Sequence, residues 1–82
     1  MKPLASYSVG PRLRQAREKR KLTMQELSDK AEVAASTINY IEKGEKQPRG
    51  DTVERLAMAL DVDPCWLLYG TGNKPQWGDK SE

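Results

Sequence analysis

Between Thr23 and Glu42 the chain reads TMQELSDKAEVAASTINYIE, two short amphipathic patterns set back to back with only three or four residues to turn between them. In the first, Met24, Leu27 and Ala31 recur at a spacing of three and four, which puts them on one helical face. In the second, Val33 leads in and Ile38 and Ile41 sit three apart, with Ser36, Thr37, Asn39 and Tyr40 between or opposite them. A second helix this short buries one stripe and offers the other face to a partner.

The remaining elements follow from periodicity and end signals. A first helix is expected from about Val9 to Arg20, with Val9, Leu13 and Ala16 inward and Pro11 tolerated in the first turn, where its missing N–H would be unpaired anyway. Thr23 followed three residues later by Glu26 is a capping box and opens a helix over about Met24 to Ala31. The third is expected over Ala35 to Lys43, with Gly44 as its left-handed stop. Val53, Leu56, Ala57 and Leu60 give the clearest amphipathic stripe, in a helix over about Asp51 to Leu60. Asp63 and Pro64 then cap and start a short fifth helix that Gly70 ends. The expected domain is residues 9–70, flanked by a flexible arm (1–8) and a disordered polar tail (71–82) holding Gly72, Pro75 and Gly78.

Eighty-two residues make one small domain. Such a domain buries only about 60% of its unfolded surface, so tight helix packing or a dimer is expected to help it. One cysteine, Cys65, and no histidine leave no internal disulfide and no credible metal site, and remove the usual general base and an activated thiol. The chain is therefore read as a cytoplasmic protein, not an enzyme, with no cofactor and no membrane span. Charge is unevenly placed: eleven Lys/Arg face six Asp/Glu up to Arg49, and three face six beyond it. Arg12, Arg14, Arg17, Lys19, Arg20 and Lys21 crowd one stretch against Glu18 alone. That run is either a solvated helix face or a surface selected for a phosphate backbone.

With Leu13, Arg17, Glu42, Gly44 and Pro48 added to the paired patterns, residues from about Val9 to Gly70 resemble the Cro and repressor type helix-turn-helix proteins, the Xre family. The resemblance implies an all-α, compact five-helix lambda-repressor-like domain, bacterial or phage-encoded. It implies a transcriptional regulator, most often a repressor, that binds double-stranded DNA as a homodimer on an inverted repeat, and it turns the basic run toward the phosphate reading. Carried over position by position, it makes Ala35, Ser36, Asn39 and Tyr40 base readers. Asn39 has the amide that pairs both edge atoms of adenine, Ser36 donates or accepts, and Ala35 suits a thymine methyl. Phosphate contacts are expected from Gln25, Lys43, Gly44, Lys46 and Arg49, and from the amides at the N-terminus of the second helix. Arg17 and Glu42 match the family's charged pair joining the first helix to the end of the third. Trp66 and Leu68 are expected either to form the dimer surface or to close the core.

Three positions depart from the family pattern. Met24 stands where a phosphate-binding glutamine is usual, Glu32 where the tight turn normally has glycine, and Ala34 where a serine or threonine caps the recognition helix. The latter two are each expected to cost about 1 kcal/mol. The same module also serves as the antitoxin of toxin–antitoxin pairs, as a controller of restriction–modification genes, as the amino-terminal piece of a longer repressor, or as a protein-binding adaptor without DNA affinity.

Overall fold

The computed structural model describes residues 9–75; the expected arm, 1–8, and most of the expected tail, 76–82, lie outside the described residues. Five helices follow in order: α1 (Val9–Lys19), α2 (Met24–Ala31), α3 (Ala35–Glu42), α4 (Gly50–Leu60) and α5 (Pro64–Tyr69). No strand occurs among the described residues. α1 and α3 each end one residue before the expected boundary. α4 begins one residue earlier, on Gly50, because Arg49 already has the extended backbone of a cap.

Local chemistry accounts for most helix ends. At α2 the Glu26 amide donates to Thr23 Oγ1 at 3.0 Å, and the Thr23 amide donates to Glu26 Oε1 at 2.9 Å, which satisfies two amides that the helix cannot. At α5 the Cys65 amide donates to Asp63 Oδ1 at 2.8 Å, and Pro64 takes the position that needs no N–H. Gly44 and Gly70 close α3 and α5 with φ near +80°. Lys21, Glu32 and Asp61 take φ near +60° at the ends of α1, α2 and α4, a conformation that costs a residue with a Cβ about 1 kcal/mol.

The inward stripes meet in one core. Leu13, Leu27, Ile38, Ile41, Leu56, Leu60 and Leu67 are fully buried, with Val9, Ala16, Val53, Ala57 and Trp66 around them. α1 packs on α3 and α5, α2 on α3 and α4, and α4 on α5, so the core is closed by a ring of helix pairs. Trp66, at 6% exposure, belongs to this core, which leaves little of its surface for a second copy. Leu68 is only partly buried and packs on the core's edge. Just past α5 the Asn73 amide donates to Asp63 Oδ2 at 3.1 Å, so one carboxylate holds both the start of α5 and the chain that leaves it.

Candidate nucleic-acid interface

α3 has eight residues and is about 12 Å long, short enough for one face to be wholly committed inward. Ile38 and Ile41 point into the core with no exposed surface. Ser36, Asn39 and Tyr40, at i, i+3 and i+4, therefore share the opposite face, with Ala35 one turn before Asn39. Ser36 and Tyr40 are exposed, and Ala35 and Asn39 partly so. The structure thus brings the four expected readers to one end and one side of a helix. Ala34 makes no side-chain cap, so the first amides of α3 are left to other partners.

Behind this face α3 is held at its C-terminal end. Arg17 Nε donates to Glu42 Oε2 at 2.7 Å and Nη2 donates to Oε1 at 3.1 Å, a two-pronged pair whose side chains are 13% and 5% exposed. The third guanidinium nitrogen, Nη1, donates to the Leu22 carbonyl at 3.0 Å. The hydrogen bond to Glu42 raises the Arg17 pKa against the opposing effect of burial. A second fixture was not legible as such in the sequence. Gly10 lies buried in the first turn of α1, and a Cβ built there would stand 2.6 Å from the Ile41 carbonyl oxygen and 2.9 Å from that of Glu42. Only glycine lets the two backbones approach so closely. Its one sequence signal is a glycine inside a helical pattern with no turn to serve.

The turn before α3 is tight. Glu32 has φ 59° and ψ 43°, with its amide donating to the Ser28 carbonyl at 2.8 Å. Arg55, reaching from α4, donates to the Glu32 carbonyl at 3.3 Å. After α3, the Lys43, Gly44 and Glu45 amides close the helix on the Asn39, Ile41 and Tyr40 carbonyls at 2.9–3.0 Å. That closure sets Lys43, Gly44, Lys46 and Arg49 in one exposed loop leading from the reading face. Arg49 lies 3.8 Å from Asp51 in a solvent-exposed ion pair, too weak to hold it from an anion. Gln25, on exposed α2, donates to Asp29 Oδ1 at 3.1 Å and must release it to reach a phosphate.

Two electrostatic expectations meet side-chain partners in the structure. The basic run from Arg12 to Lys21 is divided: Arg14, Lys19, Arg20 and Lys21 are exposed, whereas Arg12 and Arg17 are half-buried and hold other helices. Arg12 donates to the Leu67 and Leu68 carbonyls at 2.9 and 2.7 Å, Arg17 holds Glu42, and Arg20 donates to the Leu60 and Asp61 carbonyls at 2.8 and 3.2 Å. Arg12 and Arg20 thus meet the negative C-terminal carbonyl ends of α5 and α4, while Arg17 is paired with a carboxylate side chain, as the resemblance implied. Arg14 is engaged with Glu18 one turn on, at 3.1 Å. Burial lowers the Arg12 pKa from its ordinary value. The N-terminus of α2, expected to attract an anion, already carries the Glu26 carboxylate of its own capping box. In the exposed loop that follows α3 the cations are Lys43, Lys46 and Arg49.

Among the described residues no cluster of acidic or cysteine side chains could hold a metal ion, and no helix is long and apolar enough to cross a membrane. The helix-turn-helix family model matches residues 13–67, more than half of the chain. The HTH-type transcriptional repressor RghR of Bacillus subtilis is 39% identical over 66 residues, which are 79% of this chain and 49% of RghR. The transcriptional regulator ClgR of Mycobacterium tuberculosis is 31% identical over 74 residues, 90% of this chain and 66% of ClgR. This chain thus spans about half the length of RghR, and likewise of the Escherichia coli regulator DicA. Among solved structures, the restriction-modification controller protein C.AhdI of Aeromonas hydrophila superposes with a TM-score of 0.71 at 28% identity, covering 74% of this chain and 92% of that one. With the matched segment running from the core of α1 into α5, the chain belongs to the Xre-type helix-turn-helix family of DNA-binding transcriptional regulators.

Proposed function

We propose that this chain represses transcription by binding an inverted-repeat operator as a homodimer, with α3 in the major groove. The observation that carries the reading is the outward face of α3. Its Ser36, Asn39 and Tyr40 share one side beside a loop bearing Lys43, Lys46 and Arg49, while Arg17, Glu42 and Gly10 brace the other side. Ala35, Ser36, Asn39 and Tyr40 read base edges; Lys43, the Gly44 amide, Lys46, Arg49 and Gln25 contact phosphates. One such head spans only half a turn of duplex, and two-fold pairing through α5 sets two heads one turn apart, roughly 34 Å. An apolar concavity beside Val53, Pro64, Cys65 and Leu68, with Tyr69 68% exposed at its edge, is the surface for that pairing. A regulator of this kind works in the cytoplasm, where the DNA is.

Selection of bound sequences from random duplex DNA, followed by titration at several salt concentrations, tests this. Three cations in each of two copies predict a log–log salt slope of roughly −5. Failure to enrich any sequence, or binding indifferent to salt, overturns the reading in favour of a protein-binding adaptor. The fit to C.AhdI over 92% of its length supports a second reading, control of restriction–modification genes. An operator selected from the chain's own genome beside such genes would favour it.

A further inference from the structure

α3 and α5 are linked through α1 rather than by an extensive packing of their own. Part of that link lies in the first turn of α1. Gly10 seats the end of α3 there, with the Ile41 carbonyl oxygen 2.6 Å from where a Cβ would stand. Two residues on, Arg12 spans the last turn of α5, its Nε 2.9 Å from the Leu67 carbonyl and its Nη2 2.7 Å from that of Leu68. The guanidinium also lies against Gly70, 3.1 Å from where a Cβ on that residue would be. A planar fork with two fixed N–H directions holds a helix end in orientation as well as position, which a single flexible ammonium does not. The reading helix and the end of α5 are therefore both keyed to the same turn of backbone.

We propose that Arg12 is a positioning residue for DNA reading: by locking the end of α5 to the turn that seats α3, it fixes the angle between the dimer surface and the reading helix, and hence the half-site separation the protein accepts. The inference rests on the dimer reading above, with pairing through α5. It assigns a role in spacing selection to a residue whose side chain is turned to helix carbonyls rather than to DNA. The mechanism is geometric. A small change of angle at α5 is carried along the length of each copy and moves the two copies of α3 relative to one another, while each α3 keeps its own contacts to a half-site.

The test uses the full chain and its Arg12→Lys variant, which keeps the charge and removes the fork. Affinity is measured for the selected operator, for operators with one base pair added to or removed from the spacer, and for an isolated half-site; a thermal melt establishes that both proteins are folded. The parent is expected to prefer its own spacing by about fivefold or more. In Arg12→Lys that preference should fall below about twofold, with half-site affinity and base preference unchanged. Should Arg12→Lys melt too early to bind, Arg12→Met offers a second probe, because it keeps an apolar stem and removes both donors to the α5 carbonyls. A selective parent with an equally selective, folded variant overturns this inference alone. A parent indifferent to spacing overturns the dimer reading, and this inference with it. A variant that loses half-site affinity in step with the full operator assigns Arg12 to stability or DNA contact and also overturns it.

Discussion

Asn39 and Lys46 lie close together in the chain yet are built for different work. Asn39 stands on the outer face of a helix whose inner face is anchored, so its amide has a defined direction, whereas Lys46 is a flexible charge in an exposed loop. Asn39→Ala is expected to lower discrimination at one base pair by about 1 to 3 kcal/mol. Lys46→Ala should instead weaken all duplexes alike and flatten the salt slope by about 1. Binding curves on the selected operator and on single-base variants separate the two, and equal losses from Asn39→Ala on specific and random DNA would remove it from the readers. Glu32 poses a backbone question. At φ 59° its Cβ is unwelcome, so Glu32→Gly should raise stability by up to about 1 kcal/mol, partly offset by the greater freedom of glycine in the unfolded chain. Thermal unfolding beside the parent measures the balance. A marked loss would mean that the Glu32 side chain holds the turn.

At the scale of helices, what distinguishes α3 is how its two ends are treated. Its N-terminus has no side-chain cap, and its C-terminus is gripped by Gly10 and the Arg17–Glu42 pair. Gly10→Ala should therefore be unfavourable despite the better helix propensity of alanine, since a Cβ at 2.6 Å from a carbonyl oxygen forces the helices apart. Overpacking of this kind costs about 1 to 3 kcal/mol, and propensity returns less than about 1. Urea denaturation should show the net loss; unchanged stability would mean that α1 and α3 slide past one another freely. α5 depends on a titratable cap. Hydrogen bonds from the amides of Asn73 and Cys65 hold the Asp63 carboxyl below its ordinary pKa. Its contribution to stability is therefore complete above the unfolded-state value of about 4, and is lost as pH falls through the lower folded value. Melts between pH 6 and 2 should show a component of acid destabilisation that disappears in Asp63→Asn, which still caps but does not titrate. Identical pH profiles would exclude that coupling.

For the molecule as a whole, two ends of one small domain serve two tasks, reading through α3 and pairing through α5. Trp66 is committed to the core, and Leu68 and Tyr69 are the large apolar side chains of α5 that keep surface to offer. Leu68→Glu is expected to leave the chain helical and able to bind a half-site while abolishing cooperative occupation of two half-sites, because each copy would desolvate a charge facing its like. Sedimentation with and without operator DNA, beside a helicity measurement, is the check. Unfolding would assign Leu68 to the core, and unchanged cooperativity would move the pairing surface off α5.

Local rules made much of this protein legible from its residues. The capping box at Thr23 and Glu26, the Asp63–Pro64 start and the glycines after α3 and α5 act within one turn of chain, so short-range chemistry determines them. Periodicity placed Leu13, Leu27, Ile38, Ile41, Leu56 and Leu60 inward because a helical stripe admits only one buried face. The left-handed turn at Glu32 came instead from family resemblance, since propensity alone would not put glutamate there. Direction over longer range was decided by the tertiary structure. A run of arginines reads the same whether it faces phosphate or the carbonyl ends of other helices, and only the tertiary arrangement brought the α5 carbonyls to Arg12 and the α4 carbonyls to Arg20. The burial of Trp66 and the need for Gly10 have the same origin. Each depends on what a distant segment brings within a few ångströms, and composition and periodicity carry no record of that distance.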